Sequence, residues 1–171
     1  MAQFQPAIAN TELNEGGYTN NPNDSGGETY RGISRRNWPN WSGWAIVDVL
    51  RSQAGFPAIL DSNTDLQSAI VQFYQTNYWR FDGINNQAVA NKIFDLAVNV
   101  GMVHGIKITQ LAAGSPVDGE YGPHTEAAIN NYQGDIIPII RMKAEEYHRA
   151  IVATHPQDAV FLRGWINRDN E

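Results

Sequence analysis

The 171-residue sequence predicts a mainly α-helical fold with a small β hairpin near residues 18–33. Three observations support this fold class. Apolar residues recur at helical spacing along most of the chain, Gly-rich and Asn-rich turns interrupt that spacing between residues 18 and 33, and 42% of the residues are hydrophobic. Such a hydrophobic fraction is typical of a chain that buries a core, and the length suits one compact domain or two small halves sharing a core.

The first half of the chain is predicted to contain helices on either side of the turn-rich stretch. Three apolar residues near the start share one helical face, Phe4, Ala7 and Ile8. Their helix is expected to stop at Gly16-Gly17, since glycine readily takes the left-handed cap conformation. The aromatic-rich stretch 38–44 is interpreted as a tight connection. A later helix is expected to begin with a cap at Thr64 or Asp65. It should end near Trp79.

The second half is predicted to be helical between turn clusters, because apolar residues recur there every three or four positions. The expected helices are Gln87 to Val100 with Gly101 as its stop, His104 to Ala113, Thr125 to Tyr132, a long helix through Ile140 and Ile151 that ends before Pro156, and a last short helix around Phe161 and Trp165. The sequence shows no internal repeat and no low-complexity linker.

Composition excludes or disfavours several classes of function. There are no cysteines, so disulfides and thiolate chemistry are ruled out. The net charge of −6 argues against general nucleic-acid binding. Met1 to Glu15 lacks the basic and apolar regions of a signal peptide, and no run approaches the ~18 apolar residues that cross a bilayer. We therefore expect synthesis in the cytoplasm without a signal peptide, and no stable membrane insertion.

No metal and no cofactor is expected. The four histidines form neither an HExxH motif nor a pair with cysteine, so a zinc site is not predicted. The Asn-rich stretch from Asn21 resembles the start of a calcium-binding loop. Its twelfth position is Gly32 rather than glutamate, and its first ligands would be neutral, so a calcium loop is rejected.

Glu15 is the first candidate catalytic residue. It lies seven residues after Ile8 and eleven after Phe4, so the three would share one helical stripe. A carboxyl held against apolar surface is desolvated, which raises its pKa and suits it to donate a proton as a general acid. The alternative is a surface glutamate beside a glycine cap, because the last turn of a helix is often exposed.

Asp24 and Thr29 are the other catalytic candidates. Asp24 lies in an Asn-Asp-Ser-Gly-Gly turn, where a solvated and ionised carboxylate could activate water or stabilise a positively charged transition state. Its alternative is the ordinary role of aspartate in a turn. Thr29 could bring its hydroxyl to the same cleft to hold a water molecule. The alternative for Thr29 is a structural role as a β-branched residue in a strand.

Tyr18 and Tyr30 are predicted to bind substrate, since each is close in sequence to a candidate carboxylate. The C–H faces of a pyranose ring pack on aromatic rings, and the chain is rich in tyrosine and tryptophan near these positions, including Trp38, Trp41 and Trp44. For any single aromatic residue, packing in the core is the alternative.

The run from Glu15 to Ile33 reads Glu-Gly-Gly-Tyr-x-Asn-x-Pro-x-Asp-x-Gly-Gly-x-Thr-x-x-Gly-Ile. It resembles the signature of glycoside hydrolase family 108, lysozyme-like N-acetylmuramidases of phages and bacteria. Three later segments, 94–101, 118–125 and 161–168, resemble the predicted peptidoglycan-binding segment that accompanies that signature. The resemblance therefore extends over nearly the whole chain.

The resemblance implies a lysozyme-like helical fold that cleaves the β-1,4 bond between N-acetylmuramic acid and N-acetylglucosamine. It assigns the catalytic acid to Glu15 and the accompanying Asp and Thr to Asp24 and Thr29. Four residues separate Asp24 from Thr29, where phage-type lysozymes have five. It also implies a catalytic half over residues 1–85 and a peptidoglycan-binding half over residues 86–171, packed into one domain.

Asn99 lies in the second half and is a candidate substrate-binding residue. A structural role is the alternative for Asn99, as it is for Asp118 and Tyr121 in the turn cluster that follows.

The leading hypothesis is a monomeric muramidase acting on peptidoglycan glycan strands, with neither nucleic acid nor a cofactor involved. A lytic transglycosylase that cleaves the same bond is the first alternative. A non-catalytic wall-binding or secretion-accessory module is the second. The enzyme would reach the wall either as a bacteriolytic phage endolysin released through a holin, or as an effector delivered by a secretion machine.

Overall fold

A computed structural model describes residues 1–12, 16–20 and 27–170 of the chain. Two units can be distinguished. We call Ile8–Asn77 the sheet unit, and Met1–Ala7 together with Tyr78–Glu171 the helical unit. The predicted division into a catalytic and a binding half at residues 85 and 86 stays a prediction, because compactness does not report where catalysis or binding occurs.

The elements of the first part of the chain alternate helix, sheet and helix. In order they are α1 (Phe4–Glu12), β1 (Tyr18–Asn20), β2 (Glu28–Tyr30), β3 (Ile33–Ser34), α2 (Gly43–Leu50) and α3 (Thr64–Tyr78). A short 3-10 turn over Ala58–Leu60 precedes α3. The predicted hairpin is confirmed, and a third strand extends it.

The sheet is antiparallel, with the strands in the order β1-β2-β3. Tyr30 lies opposite Tyr18 on one side and opposite Ile33 on the other. The turn between β2 and β3 consists of Arg31 and Gly32, whose φ angles are +48° and +75°. Two-residue hairpin turns that match the twist of the strands require positive φ at these positions, which explains the glycine.

Helices α2 and α3 each differ from the sequence prediction at one point. The stretch 38–44 was expected to form only a connection, but α2 begins within it at Gly43. The cap of α3 is Asn63, whose Oδ1 accepts a hydrogen bond of 2.8 Å from the backbone N–H of Leu66. Asparagine is among the best N-cap residues, so the predicted cap at Thr64 or Asp65 is wrong by one or two positions.

The remaining helices belong to the helical unit. They are α4 (Gln87–Val100), α5 (Met102–Ala113), α6 (Pro123–Asn130), α7 (Ile137–Thr154) and α8 (Ala159–Asp169). Helix α4 is capped by Asn86, whose side chain accepts from two backbone N–H groups of the first turn, and it stops at Gly101 as predicted. Helices α4, α5, α7 and α8 pack in that order, each against the next.

Within the helical unit, an aromatic cluster packs Met1–Ala7 against the later part of the chain. The ring of Phe4 lies 5.7 Å from the rings of both Trp79 and Phe94, in edge-to-face arrangements. The backbone N–H of Ala2 donates a 2.8 Å hydrogen bond to the carbonyl of Ile84. The first residues of the chain therefore pack with residues that follow the sheet unit.

The fold class is confirmed as mainly α with one small sheet. Within the described residues, no helix combines the length and apolar character needed to span a bilayer.

Candidate active site

The three candidate catalytic residues differ in what the structure says about them. Glu15 and Asp24 lie outside the described residues, so their predicted roles stay predictions. Thr29 lies in the middle of β2. The described residues that flank the segment containing Asp24 include Asn20 and Glu28, which are paired across β1 and β2.

The sheet presents two faces of different character. Side chains alternate along a strand, and residues paired directly across strands share a face. Thr29 is paired with Thr19 on β1 and with Ser34 on β3, so one face carries a row of three hydroxyls. The opposite face carries Glu28 and Tyr30 beside Tyr18.

Thr29 is half-buried at the centre of the hydroxyl row. Its Oγ1 donates a hydrogen bond of 3.3 Å to the carbonyl of Gly27. Gly27 has a φ of +64°, which a residue with a side chain rarely adopts. A threonine hydroxyl has two acceptor lone pairs besides its proton, so Thr29 can still accept a hydrogen bond from a water molecule. This geometry fits both proposed roles of Thr29, holding a catalytic water molecule and serving as a structural residue of the strand.

Glu28 is the carboxylate nearest to Thr29 along the chain, and it belongs to a network of ion pairs. One oxygen lies 2.6 Å from Nε of Arg35, and the other accepts hydrogen bonds from Arg51 and, at 3.0 Å, from the hydroxyl of Tyr18. Only 11% of the Glu28 side chain is exposed. Both oxygens of Glu28 are therefore bound by arginine side chains, which fits a structural role.

Asp48 on α2 completes the network. Its two oxygens accept hydrogen bonds of 3.0 and 2.6 Å from the two terminal nitrogens of Arg35. This two-pronged bond is the main reason why the pKa of Asp48 is lowered. The network joins the sheet to α2, and the sequence reasoning did not identify it. The only sequence signal was the spacing of Asp48 and Arg51, three positions apart on a helix turn.

Tyr18 is held in a defined position by this network. Its hydroxyl donates to Glu28 and accepts a hydrogen bond of 3.2 Å from Arg51. Its ring meets the ring of Phe56 edge-on at 4.8 Å, and the side chain is half-buried. Burial, together with the hydrogen bond to Glu28, raises the pKa of the Tyr18 hydroxyl. Tyr18 therefore stays a candidate for substrate binding, as a ring with a fixed orientation.

Tyr30 does not have the environment that its predicted role requires. Only 1% of the residue is exposed. Its hydroxyl donates to Asp61 and accepts from the side-chain amide of Gln67, both at 3.0 Å. A sugar stacks only on a ring whose face is open to solvent. The expectation that Tyr30 forms a stacking surface is therefore corrected: Tyr30 packs in the core of the sheet unit, where burial raises the pKa of its hydroxyl.

Asn99 lies in the last turn of α4, in the helical unit, and is half-buried. The structure thus places it on a different unit from the sheet that carries Thr29. Its role in substrate binding stays a prediction.

The turn cluster from Asp118 to Thr125 is organised by a buried residue that the sequence reasoning missed, Gln110 on α5. Its side-chain nitrogen donates to Asp118 at 2.7 Å and to Thr125 at 3.0 Å. Its oxygen accepts from the backbone N–H of Gly119 at 2.9 Å. Gln110 is 0% exposed, so these bonds satisfy an amide that would otherwise be costly to bury. The structural alternative for Asp118 is supported by these contacts.

Tyr121 also has structural contacts. Its hydroxyl donates to Glu126 at 3.2 Å, and its ring meets Phe81 edge-on at 5.1 Å. Burial and the neighbouring Glu126 raise the pKa of this hydroxyl. Across the described ranges 1–12, 16–20 and 27–170, no group of three or more His, Cys, Asp or Glu side chains is placed to hold a metal ion.

Comparisons with known proteins point to one family. The family model described as glycosyl hydrolase 108 matches residues 8–101, a range that contains all three candidate catalytic residues. Among solved structures, the chain is similar to SagA of Brucella abortus, with a TM-score of 0.61 and 22% sequence identity, over 97% of this chain and 92% of that one. At that identity the likeness supports the fold alone. A comparison with curated proteins found no match. Because the family model covers more than half of its length, the chain belongs to the glycosyl hydrolase 108 family and is a glycoside hydrolase.

Proposed function

We propose that the chain is an N-acetylmuramidase, which hydrolyses the β-1,4 bond between N-acetylmuramic acid and N-acetylglucosamine in peptidoglycan. The observation that carries the proposal is the family match over residues 8–101. Membership of this family supports a general role in peptidoglycan hydrolysis. The choice of bond rests on the resemblance of the Glu15–Ile33 run to the family signature.

Glu15 is proposed as the general acid that protonates the leaving glycosidic oxygen. Asp24 positions or activates the attacking water, and Thr29 helps to hold that water. The ion pairs of Glu28 with Arg35 and Arg51 support this division of roles, because both of its oxygens are already bound by protein side chains. The other carboxylates of the signature run are Glu15 and Asp24 themselves.

The first experiment measures the clearing of purified peptidoglycan by wild type and by Glu15→Gln. We expect the clearing rate of the variant to be lower than that of wild type by about 10²-fold or more. Proton transfer by a positioned acid contributes about 10²–10⁴-fold to the rate of a reaction. Glu146→Gln is a matched control, because Glu146 is an exposed glutamate in the helical unit, where it pairs with Lys143. Thermal melting curves of the three proteins report whether each is folded. Equal rates for wild type and Glu15→Gln would contradict the assignment.

Mass spectrometry of the digest separates hydrolysis from the transglycosylase alternative. A hydrolase adds water and leaves reducing N-acetylmuramic acid ends, whereas a lytic transglycosylase lets the 6-hydroxyl of the sugar attack and leaves anhydro ends. Anhydro products would contradict the proposal. A protein that binds insoluble peptidoglycan but releases no reducing sugar would instead be a non-catalytic wall-binding module.

The stereochemistry of the first product tests the role of Asp24. NMR of freshly released products identifies the anomer. Inversion corresponds to carboxyl groups about 6.5–9.5 Å apart with a water between them, and retention to about 5–5.5 Å with a glycosyl-enzyme intermediate. Water activation by Asp24 requires inversion. Retention would assign Asp24 a nucleophilic role and contradict this part of the proposal.

Peptidoglycan lies outside the cytoplasmic membrane, so the proposed activity requires the chain to reach the wall. We propose that it does so by release through a holin-type pore or by a dedicated secretion machine. The genes beside its own, and fractionation of expressing cells with and without them, test this route.

A further inference from the structure

The sheet unit contains a concave pocket whose described lining does not include Thr29. Its walls are the segment 37–42, which connects β3 to α2, and the side of α3 between residues 69 and 77. The pocket has a volume of about 490 Å³. Small-molecule sites typically measure about 300–1,000 Å³, so it is large enough for one sugar unit and part of a neighbour.

One side of the pocket is aromatic. Trp38 is 38% exposed, a large exposed fraction for an indole, and its ring meets Phe73 edge-on at 4.9 Å. Trp41 is half-buried beside it, with its ring 6.1 Å from Phe73. Exposed aromatic faces in a concave site are the surfaces on which the C–H face of a pyranose packs.

The side chain of Trp41 and the backbone at Trp38 are held in place before any ligand arrives. The indole nitrogen of Trp41 donates to the carbonyl of Ala69 at 3.3 Å, and that of Trp44 donates to the carbonyl of Trp38 at 2.9 Å. A Cβ atom built on Gly43 would lie only 2.3 Å from the ring of Trp41, so this glycine lets the indole pack directly on the backbone. A site that is already ordered loses less entropy on binding.

The polar part of the lining that the structure describes consists of neutral side chains. Asn37, Asn40 and Gln72 are exposed amides along its walls. An amide both donates and accepts hydrogen bonds, which matches the hydroxyls and the acetamido group of an N-acetylated sugar. The described lining has no charged side chain, so it offers no cation for the lactyl carboxylate of N-acetylmuramic acid or for a peptide carboxylate.

We propose that this pocket binds an N-acetylglucosamine unit of a glycan strand, with Trp38 as the stacking surface and the amides of Asn40 and Gln72 as hydrogen-bonding partners. The choice of a glycan strand rests on the proposed muramidase function. The preference for the neutral sugar rests on the absence of a charged side chain from the described lining of the pocket. The chain carries a net charge of −6, so its long-range field adds no attraction for an anionic unit.

The test is a titration of the full chain with the trimer of N-acetylglucosamine, followed by the NMR signals of the tryptophan indole N–H groups. It uses wild type and the Glu15→Gln variant, so that binding is measured without turnover. We expect the Trp38 and Trp41 signals to shift and saturate in both proteins. We expect Trp38→Ala and Gln72→Ala each to weaken binding about tenfold. Phe161→Ala removes an exposed aromatic ring from the helical unit and is expected to bind like wild type.

The outcomes separate this proposal from the proposed function. A protein that degrades peptidoglycan but shows no shift at Trp38 and Trp41 overturns the pocket and leaves the muramidase proposal standing. A protein that binds the trimer at these residues but releases no sugar from peptidoglycan supports the pocket and contradicts the muramidase proposal. Tighter binding of muramyl dipeptide than of the trimer at the same signals overturns the preference for a neutral sugar.

Discussion

The hydroxyl of Thr29 sits at the centre of the three-stranded sheet, between the hydroxyls of Thr19 and Ser34. The hydrogen bond from its Oγ1 to the carbonyl of Gly27, which lies just before β2, orients the side chain. Position in a sheet, burial and a hydrogen bond do not by themselves distinguish a catalytic threonine from a structural one. The distinction requires variants that separate the hydroxyl from the shape of the side chain.

Replacing Thr29 with valine keeps the β-branched shape and removes the hydroxyl. If the hydroxyl holds the attacking water, we expect peptidoglycan hydrolysis to fall about tenfold, the value of one lost hydrogen bond of about 1.4 kcal/mol. Thr29→Ser retains the hydroxyl and is expected to keep most of the activity. The measurement is the initial clearing rate, with a melting curve for each variant. Equal activity of Thr29→Val and wild type would leave Thr29 with a structural role only.

Individual residues show why neighbouring positions in a signature can have unlike roles. Glu28 and Thr29 are adjacent, but they point to opposite faces of the sheet. Glu28 is bound by Arg35 and Arg51, whereas Thr29 belongs to the row of hydroxyls. Tyr30 follows on the Glu28 face and is buried. Alternation along the strand therefore divides this part of the signature into a structural side and a candidate catalytic side.

Among the helices, those with clear apolar spacing were predicted well. Helix α4 begins and ends at the predicted residues, because Asn86 caps its start and Gly101 ends it. Helix α2 was missed, since it begins next to a run of tryptophan, proline, asparagine and serine that is typical of a connection. Its apolar face is short, and the structure identifies it by the burial of Trp44 and Val47.

Helices α4 and α5 approach each other closely at Gly105. A Cβ atom built on Gly105 would lie 2.8 Å from the Cα of Ala97 and 2.9 Å from its backbone nitrogen. Backbone atoms cannot move aside as a flexible side chain does. We therefore expect Gly105→Ala to destabilise the chain by about 1–3 kcal/mol, the usual cost of overpacking, even though alanine is the better helix former.

Gly164→Ala is the matched control for that prediction. Gly164 lies within α8, and a Cβ atom built on it meets no heavy atom within 4 Å. The same substitution is expected here to be neutral or stabilising by up to about 1 kcal/mol. Urea unfolding of both variants provides the measurement. A loss of stability at Gly164 equal to that at Gly105 would contradict the close-packing explanation.

Across the chain, charge is arranged in local clusters rather than in one field. The sheet unit contains the pairs of Arg35 with Asp48 and of Arg31 with Asp61. Hydrogen bonds from these arginines are the main reason why the pKa values of Asp48 and Asp61 are lowered. A carboxyl whose pKa is lower in the folded state stabilises the fold fully above its unfolded pKa. That contribution is lost as the pH falls through the folded value.

The free energy of unfolding should therefore decline as the pH falls below about 4, the usual pKa of an unfolded aspartate. The double variant Asp48→Asn, Asp61→Asn is expected to show a shallower decline. The difference should shrink in high salt, because these groups are largely exposed and salt screens them. Urea unfolding at a series of pH values measures both slopes. Identical slopes for wild type and the double variant would contradict the assignment.

Local pattern in the amino-acid sequence was enough to predict the helical class, most helix positions, the turn-rich hairpin and the resemblance to the family. These features depend on residues within a few positions of one another, such as the i, i+4 spacing of a helix and the glycines of a turn. The burial of Tyr30, the ion pairs around Glu28, the contacts of Gln110 and the pocket beside Trp38 appeared only in the folded chain. Each joins residues that are distant in sequence, and their proximity depends on how the elements pack rather than on any local pattern.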